Sequence, residues 1–153
     1  MAAQVALVTG GTGGIGFHTS VGLAKAGFRV LVTGRDAARG ASAIEALRRE
    51  SGSAQVELVL GDLGRISEVR ALAQQVLALA PALSVVVHNA GAMAERLERT
   101  QDGLERNFAV NVAAPYLLTQ LLRPALRAAS PSRVVVLSGG TAGAAVGSLG
   151  RSN

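Results

Sequence analysis

The residues whose type and spacing best suit chemistry are the glycines of segment 9–16, which reads Thr-Gly-Gly-Thr-Gly-Gly-Ile-Gly. The segment directly follows the apolar run Val5–Val8. Because glycine has no side chain, the chain turns sharply there and a phosphate can approach the N–H groups at the start of the next helix. Such a string arises by chance in a chain with 19 glycines, but its place right after a buried strand favours a phosphate-binding turn.

Three further apolar runs of strand length also end in small or polar residues. In an open parallel sheet, ligands bind in the crevice outside the carboxyl ends of the strands. Together with the glycine turn, these strand ends therefore predict one edge of a sheet that binds a dinucleotide. The residues at the three later strand ends are Gly34, Arg35 and Asp36, then Asp62 and Leu63, then Asn89, Ala90 and Gly91.

Alternating strands and helices must position these residues. Apolar runs without inside–outside alternation predict strands that are covered on both faces, which requires a parallel sheet. We predict an α/β fold, a doubly wound Rossmann-type parallel sheet of about five strands that is incomplete after Leu137, in one domain spanning 1–153. The predicted strands are 5–8, 29–33, 56–60, 85–88 and 134–137, and the predicted helices are 15–26, 37–50, 66–80 and one within 103–122 that is bent at Pro115.

Composition excludes several classes of function. The chain has no cysteine, and no cluster of histidines and carboxylates has the spacing of metal ligands, so no metal is predicted. The formal charge is +5, but the arginines are scattered and aromatic residues make up only 3%, so we expect no nucleic-acid binding. We find no apolar run that is long enough to span a membrane and no secretory signal, and therefore expect a cytoplasmic protein.

The motifs at the strand ends resemble those of a known family. The patterns TGxxxGxG at 9–16 and NAG at 89–91 are similar to the two signature motifs of the short-chain dehydrogenase/reductase family. Segments 32–36, 61–63, 102–108 and 132–138 agree with the family pattern in the expected order, and the likeness is strongest to the retinol-dehydrogenase-like branch. The resemblance implies an NAD(P)-dependent oxidoreductase that interconverts an alcohol and a carbonyl compound by hydride transfer.

The resemblance also implies a role for each matching residue. Asp62 would bind the adenine amino group with Leu63 packed beside it, and Asn111 would border the cofactor and help to hold a water in the proton relay. Plainer alternatives stay open: Asp62 as a cap of the next helix, Asn89 as a partner of backbone groups, and Asn111 as a structural residue bonded to main chain. The other implied cofactor residues are Gly10, Thr12, Gly13, Gly14, Ile15 and Gly16 at the diphosphate and Asn89, Ala90 and Gly91 beside the nicotinamide ribose.

The end of the second strand indicates which cofactor is used. Gly34 stands where the family places the acid that binds the ribose hydroxyls of NAD, and Arg35 follows it. A guanidinium matches a phosphate in both charge and geometry. Asp36 lies one residue later and is better placed to cap the next helix. We therefore predict NADP in preference to NAD.

The catalytic half of the family pattern is not matched. The family chemistry uses a serine after the fifth strand, and a tyrosine followed four residues later by a lysine that lowers the tyrosine pKa. The one tyrosine here, Tyr116, lies in the fourth predicted helix and is expected in the core, and the one lysine, Lys25, lies in the first. Ser138 is the candidate for the serine, although Gly139 stands at the matching position. The two histidines are predicted to be structural, His88 in the core and His18 on the surface.

Three hypotheses remain open from the sequence. The first is a C-terminally truncated oxidoreductase, in which this chain carries the cofactor-binding portion, lacks the catalytic and substrate part, and has no turnover by itself. Its full-length form would act on a small-molecule alcohol or carbonyl compound, and a homo-oligomer is compatible with it. The second is a non-catalytic dinucleotide-binding module. The third is a non-productive fragment whose fifth strand exposes apolar surface and an unpaired edge.

Overall fold

The computed structural model describes residues 3–139. They form five strands and five α-helices, and a π-helical turn (Ala109–Ala113) joins the last two helices. The strands are β1 (Val5–Val8), β2 (Arg29–Gly34), β3 (Val56–Leu60), β4 (Val85–His88) and β5 (Arg133–Val136), and the helices are α1 (Gly14–Lys25), α2 (Ala37–Ser51), α3 (Ile66–Leu79), α4 (Arg106–Phe108) and α5 (Ala114–Ala128). The predicted loss of pattern after Leu137 falls largely on residues 140–153, which lie outside the described residues.

The five strands form one parallel sheet in the order β3-β2-β1-β4-β5. The chain begins at the centre of the sheet, builds outward through β2 and β3, and then crosses back to β4 on the other side of β1. The strand order therefore switches between β1 and β4, which is where doubly wound sheets bind their ligands. The predicted α/β fold with a doubly wound parallel sheet is confirmed.

Two hydrophobic cores cover the two faces of the sheet. Leu7 of β1 packs in the core shared with α3 and α5, and its neighbour Val8 packs in the core shared with α1 and α2. All four residues of β1 are buried, which explains why this strand is apolar without alternation. The central strand is thus held from both sides, and Thr9 at its end is also buried. The glycine turn that follows starts from a fixed position.

The last helix, predicted within 103–122, ends later than predicted, at Ala128. Pro115 lies in the first turn of α5, directly after the π-helical turn. The helical run departs from α-helical geometry at this π-helical turn, and the bend at Pro115 stays a prediction. The helix also continues through Pro124. Ala125 and Leu126 extend the buried face past this proline, and their packing offsets the hydrogen bond that the proline cannot donate.

Side-chain exposure tests three predictions. His88 is only 3% exposed, as predicted for a core histidine, and His18 lies on the surface as predicted. Tyr116 is 69% exposed, so its predicted core position is wrong. The buried face of α5 includes Ala114 and Leu118, and a residue midway between them points about 200° away from each because each residue turns the helix by about 100°.

Strand β5 is the exposed edge of the sheet. Its residues Val134, Val135 and Val136 are 43%, 43% and 61% exposed. Within residues 3–139, no helix buries either face of this strand, and its one partner is β4. None of the helices described over this range has both the length and the apolar character that a membrane span needs.

Candidate dinucleotide-binding site

A cleft of about 1290 Å³ lies where the strand ends meet. It is somewhat larger than the roughly 300–1,000 Å³ of common small-molecule pockets. Residues from the ends of β1, β2, β3 and β4 line it together, so the structure brings the predicted edge into one site. The predicted residues that line the cleft are Gly10, Thr12, Ile15, Arg35, Asp62, Leu63, Asn89, Ala90 and Gly91.

The glycine turn after β1 packs closely against the loop after β4. Gly10 has a φ of 63°, a conformation that favours glycine. A Cβ on Gly10 would stand 2.9 Å from Cα of Ala90, so no larger residue fits. The Gly10 N–H donates to Oγ1 of Thr33 at 3.2 Å, which ties the turn to β2 as well. The turn is therefore held between the two strands that flank β1.

Asn89 joins the ends of β1 and β4. Its Nδ2 donates to the carbonyl oxygens of Thr9 at 3.0 Å and Gly10 at 3.2 Å. In return, Oγ1 of Thr9 accepts the N–H groups of Asn89 and Ala90, both at 3.1 Å. Asn89 thus satisfies backbone groups, as its plainer alternative proposed, while it also lines the cleft. A Cβ on Gly16 would collide with the Asn89 amide, so glycine at 16 is required for this arrangement.

The amino end of α1 has no acceptor of its own. Its N-cap Gly13 provides no side chain, and its first turn contains no acidic residue. A Cβ on either Gly13 or Gly14 would meet nothing within 4 Å, so the space in front of the helix is open. The first N–H groups of a helix need acceptors, and its dipole places partial positive charge there. The residues present therefore fit an anionic group such as a diphosphate.

Two arginines that follow β2 line the same cleft. Arg35 lines it as predicted, and Arg39, which sequence reasoning missed, lines it from the first turn of α2. Neither arginine forms an ion pair among residues 3–139. Asp36 accepts the Arg39 N–H at 2.9 Å and caps α2, which confirms its predicted role. The spacing of Arg39 one turn into the next helix was the signal that could have identified it.

Asp62, at the end of β3, is fixed by local bonds. Its Oδ1 accepts the Gly64 N–H at 2.8 Å, and its Oδ2 lies 3.8 Å from Nε of Arg65. It therefore closes a turn and does not cap the following helix, contrary to its plainer alternative. The first N–H of α3, on Ile66, donates instead to Oδ2 of Asp102 at 2.8 Å. Asp102 is 36 residues away in sequence, so no local pattern predicts that cap.

Besides Gly13, Gly14 and Gly16 of the glycine turn, the predicted residues Asn111 and Ser138 do not line the cleft. Asn111, in the π-helical turn, pairs both ends of its amide with Ala92: its Oδ1 accepts the Ala92 N–H and its Nδ2 donates to the Ala92 carbonyl, each at 2.8 Å. This matches the alternative of a residue bonded to main chain. Ser138 is exposed after β5 and is absent from the residues that line the cleft. Its catalytic role stays a prediction.

Two titratable side chains near the cleft, His88 and Glu105, have shifted pKa values. Burial lowers the pKa of His88, whose Nε2 lies 2.7 Å from Oγ1 of Thr119 in α5, so this imidazole is neutral at pH 7. Glu105 caps α4 by accepting the N–H groups of Asn107 at 2.9 Å and Phe108 at 2.7 Å. These bonds lower the pKa of Glu105. Both groups serve structure, and the described residues contain no cluster of three or more possible metal ligands.

Comparisons with known proteins agree with this geometry. Residues 4–149 match the short chain dehydrogenase family. The chain is similar to polyprenol dehydrogenase of Mus musculus, at 42% identity over 142 residues that cover 90% of this chain and 42% of that protein. It is also similar to retinol dehydrogenase 12 of Mus musculus, at 38% identity over 135 residues that cover 88% and 43%.

A solved structure gives the same fold. The chain is similar to the Pseudomonas aeruginosa RhlG/NADP active-site complex, with a TM-score of 0.73 and 32% identity, over 89% of this chain and 54% of that one. The curated relatives are longer: the chain spans 42% and 43% of the two named above.

Proposed function

This chain belongs to the short-chain dehydrogenase family, and we propose that it is the NADP-binding portion of an oxidoreductase that interconverts an alcohol and a carbonyl compound. The observation that carries the proposal is the uncapped amino end of α1. Ile15 in the first turn of this helix lines the same cleft as the strand ends. The unbonded N–H groups and the positive end of the helix dipole stabilise an anion there.

Each part of the cleft has a task in binding a dinucleotide. The open space in front of Gly13 and Gly14 takes the diphosphate, and Thr12 and Ile15 border it. The two halves of the molecule then extend to either side of β1, with the adenine half toward Asp62 at the end of β3. The nicotinamide half extends toward the loop after β4. The bound nicotinamide supplies the carbon that accepts or donates the hydride.

The two arginines support NADP over NAD. A phosphate on the adenine ribose is doubly charged near neutral pH, and a guanidinium offers it paired N–H donors. Arg35 and Arg39 both face the cleft without an ion-pair partner among residues 3–139. The nearest carboxylate in sequence, Asp36, is engaged in capping α2. The similar RhlG structure is itself an NADP complex.

These 153 residues lack the proton-transfer pair that the reaction needs. Tyr116 is exposed on α5, which packs on one face of the sheet, whereas Lys25 ends α1 on the other face. The two side chains therefore cannot act together. The same observation favours a second candidate function, a non-catalytic dinucleotide-binding module. Under both functions, the chain binds NADPH and does not catalyse the reaction by itself. The substrate of the proposed oxidoreductase is a small-molecule alcohol or carbonyl compound.

The variant Gly13→Asp separates binding from folding. Gly13 has an extended φ of −164°, which any residue adopts, and a Cβ there would meet nothing within 4 Å, so we expect aspartate to be accommodated. The aspartate side chain caps α1, which stabilises the fold by roughly a few tenths of a kcal/mol relative to glycine. Its carboxylate then occupies the anion site and repels a diphosphate.

Calorimetric titration with NADPH, together with melting curves, tests the proposal. We expect the parent chain to bind NADPH and the variant to lose at least about tenfold in affinity, equal to about 1.4 kcal/mol, with an unchanged or raised melting temperature. A parent chain that does not bind NADPH, or a variant that binds it equally well, refutes the proposal. Neither protein should oxidise NADPH with a panel of aldehydes, and sustained turnover would contradict the assignment of these residues as binding only.

A further inference from the structure

The loop that follows Gly91 is held to the helical run 106–128 by two asparagines. Asn107 of α4 repeats the contact that Asn111 makes with Ala92. Its Oδ1 accepts the Ala94 N–H at 2.8 Å, and its Nδ2 donates to the Ala94 carbonyl at 3.3 Å. Asn107 and Asn111, named here the asparagine pair, thus bond both backbone groups of alternate loop residues.

The distance along the helix from Asn107 to Asn111 matches the distance along the loop from Ala92 to Ala94. Residues four apart lie on one face of a helix and rise by about 6 Å, and residues two apart in an extended chain advance by about 6.6 Å and point the same way. The asparagine pair therefore holds Ala92–Ala94 as an extended segment along the helix. This register fixes the direction of the residue between them, Met93.

The position of Met93 in the cleft is fixed by the backbone and not by side-chain packing. Its side chain is 79% exposed and lines the cleft with Ala92 and Ala94. So exposed a side chain has little packing to hold it in place. Its position is set by the two bonded residues that flank it, and Asn107 holds one of these two, Ala94. The next anchor along the loop is the carbonyl of Glu98, which accepts the Arg106 N–H at 2.9 Å.

The asparagine pair acts on one end of the cleft. The loop up to Ala90 is held by Thr9, independently of Asn107. The adenine half of the dinucleotide is assigned to the ends of β2 and β3, on the opposite side of β1. Because neighbouring strands are about 4.8 Å apart and β1 lies between β2 and β4, the adenine half lies away from the loop after β4. Loosening the segment Ala92–Ala94 therefore affects the nicotinamide half and leaves the adenine half in place.

We propose that Asn107 is a positioning residue: by pairing with Ala94 it fixes the segment Ala92–Ala94 as the wall of the cleft beside the nicotinamide half of the bound dinucleotide. This inference rests on the proposed function. Asn107 lies in segment 102–108, which agrees with the family pattern, but the resemblance implies no role for it. The assignment of a role comes from the two contacts with the Ala94 backbone.

The test compares two ligands on the same chain. NADPH contains both halves of the dinucleotide, and adenosine 2′,5′-bisphosphate contains the adenine half alone. The variant Asn107→Ala removes both contacts to Ala94. Gln74→Ala is the matched control, because it also removes an amide, from an exposed position on α3. Calorimetry measures both affinities, and hydrogen exchange measures the protection of the Ala94 N–H.

We expect Asn107→Ala to weaken NADPH binding by about threefold to tenfold, to leave the bisphosphate affinity unchanged, and to speed exchange of the Ala94 N–H. Gln74→Ala should change none of these. Equal weakening of both ligands would show a general loss of structure and overturn the inference, as would unchanged NADPH binding. A parent chain that binds the bisphosphate and not NADPH also overturns it, whereas a parent that binds neither ligand overturns the proposed function itself.

Discussion

The contact between Gly16 and Asn89 gives the sharpest prediction about how the fold builds the cleft. Replacement of Gly16 by alanine places a Cβ against the Asn89 amide and 2.5 Å from the Gly10 carbonyl oxygen. The amide must move, and its hydrogen bonds to Thr9 and Gly10 are lost. The substitution therefore disturbs the junction between β1 and β4 from within α1.

The size of the effect follows from these contacts. Two lost hydrogen bonds cost about 2 kcal/mol, and overpacking adds about 1–3 kcal/mol. Alanine in a helix returns up to about 1 kcal/mol relative to glycine. The net loss is about 2–4 kcal/mol, which lowers the melting temperature by roughly 4–16 °C in a chain of this size.

Gly22 provides the matched control in the same helix. It is exposed, and a Cβ there meets nothing within 4 Å. Gly22→Ala should therefore stabilise the chain by about 0.5–1 kcal/mol. Urea unfolding of both variants measures the difference, and NADPH titration measures the effect on the cleft, where Gly16→Ala alone should weaken binding. If Gly16→Ala proved as stable as Gly22→Ala, the close packing of α1 on the strand ends would be refuted.

Two further predictions concern local elements. Asp36→Ala removes the cap of α2 and should lower the free energy of unfolding by about 1 kcal/mol. The control Asp36→Asn keeps a side-chain oxygen that accepts the Arg39 N–H. Melting curves that do not separate the two variants would argue against this cap. Burial lowers the pKa of His88 below the 6.5 of a free histidine, so the unfolded chain binds more protons and stability should fall as pH drops from 7.5 toward 5. Urea midpoints should show less of this acid sensitivity in His88→Gln than in the parent or in His18→Gln, and an equal loss in all three would contradict it.

The strands and their parallel arrangement were predictable because the central strands have a simple requirement, whereas their order in the sheet comes from the structure. Val5–Val8 is apolar throughout and Val85–His88 is apolar up to its last residue, the buried His88, since helices cover both faces of the sheet, and the structure gives both strands the predicted bounds. The position of Tyr116 was also readable in principle. Its spacing from Ala114 and Leu118 places it on the opposite face of α5, but an aromatic residue in a helical segment was assigned to the core by type alone.

The contacts of the cleft were less predictable, because they join residues far apart in the chain. The glycines and Asn89 follow a local motif, whereas the cap that Asp102 gives α3 and the pairing of Asn107 with Ala94 depend on how loops fold back. Pro124 shows a related limit. Local propensity ends a helix there, and only the burial of the following residues against the sheet explains why α5 continues.

The central claim is that this edge of the sheet binds NADP, and Arg35 tests it most directly. Titration calorimetry with NADPH and NADH, on the parent chain and on Arg35→Ala, measures four affinities under one set of conditions. We predict that the parent prefers NADPH and that the substitution weakens NADPH by about tenfold or more, because a hydrogen bond to a charged group contributes about 1.5–3 kcal/mol, while NADH binding is unchanged. Equal affinities for the two nucleotides that Arg35→Ala leaves unaltered would contradict the claim.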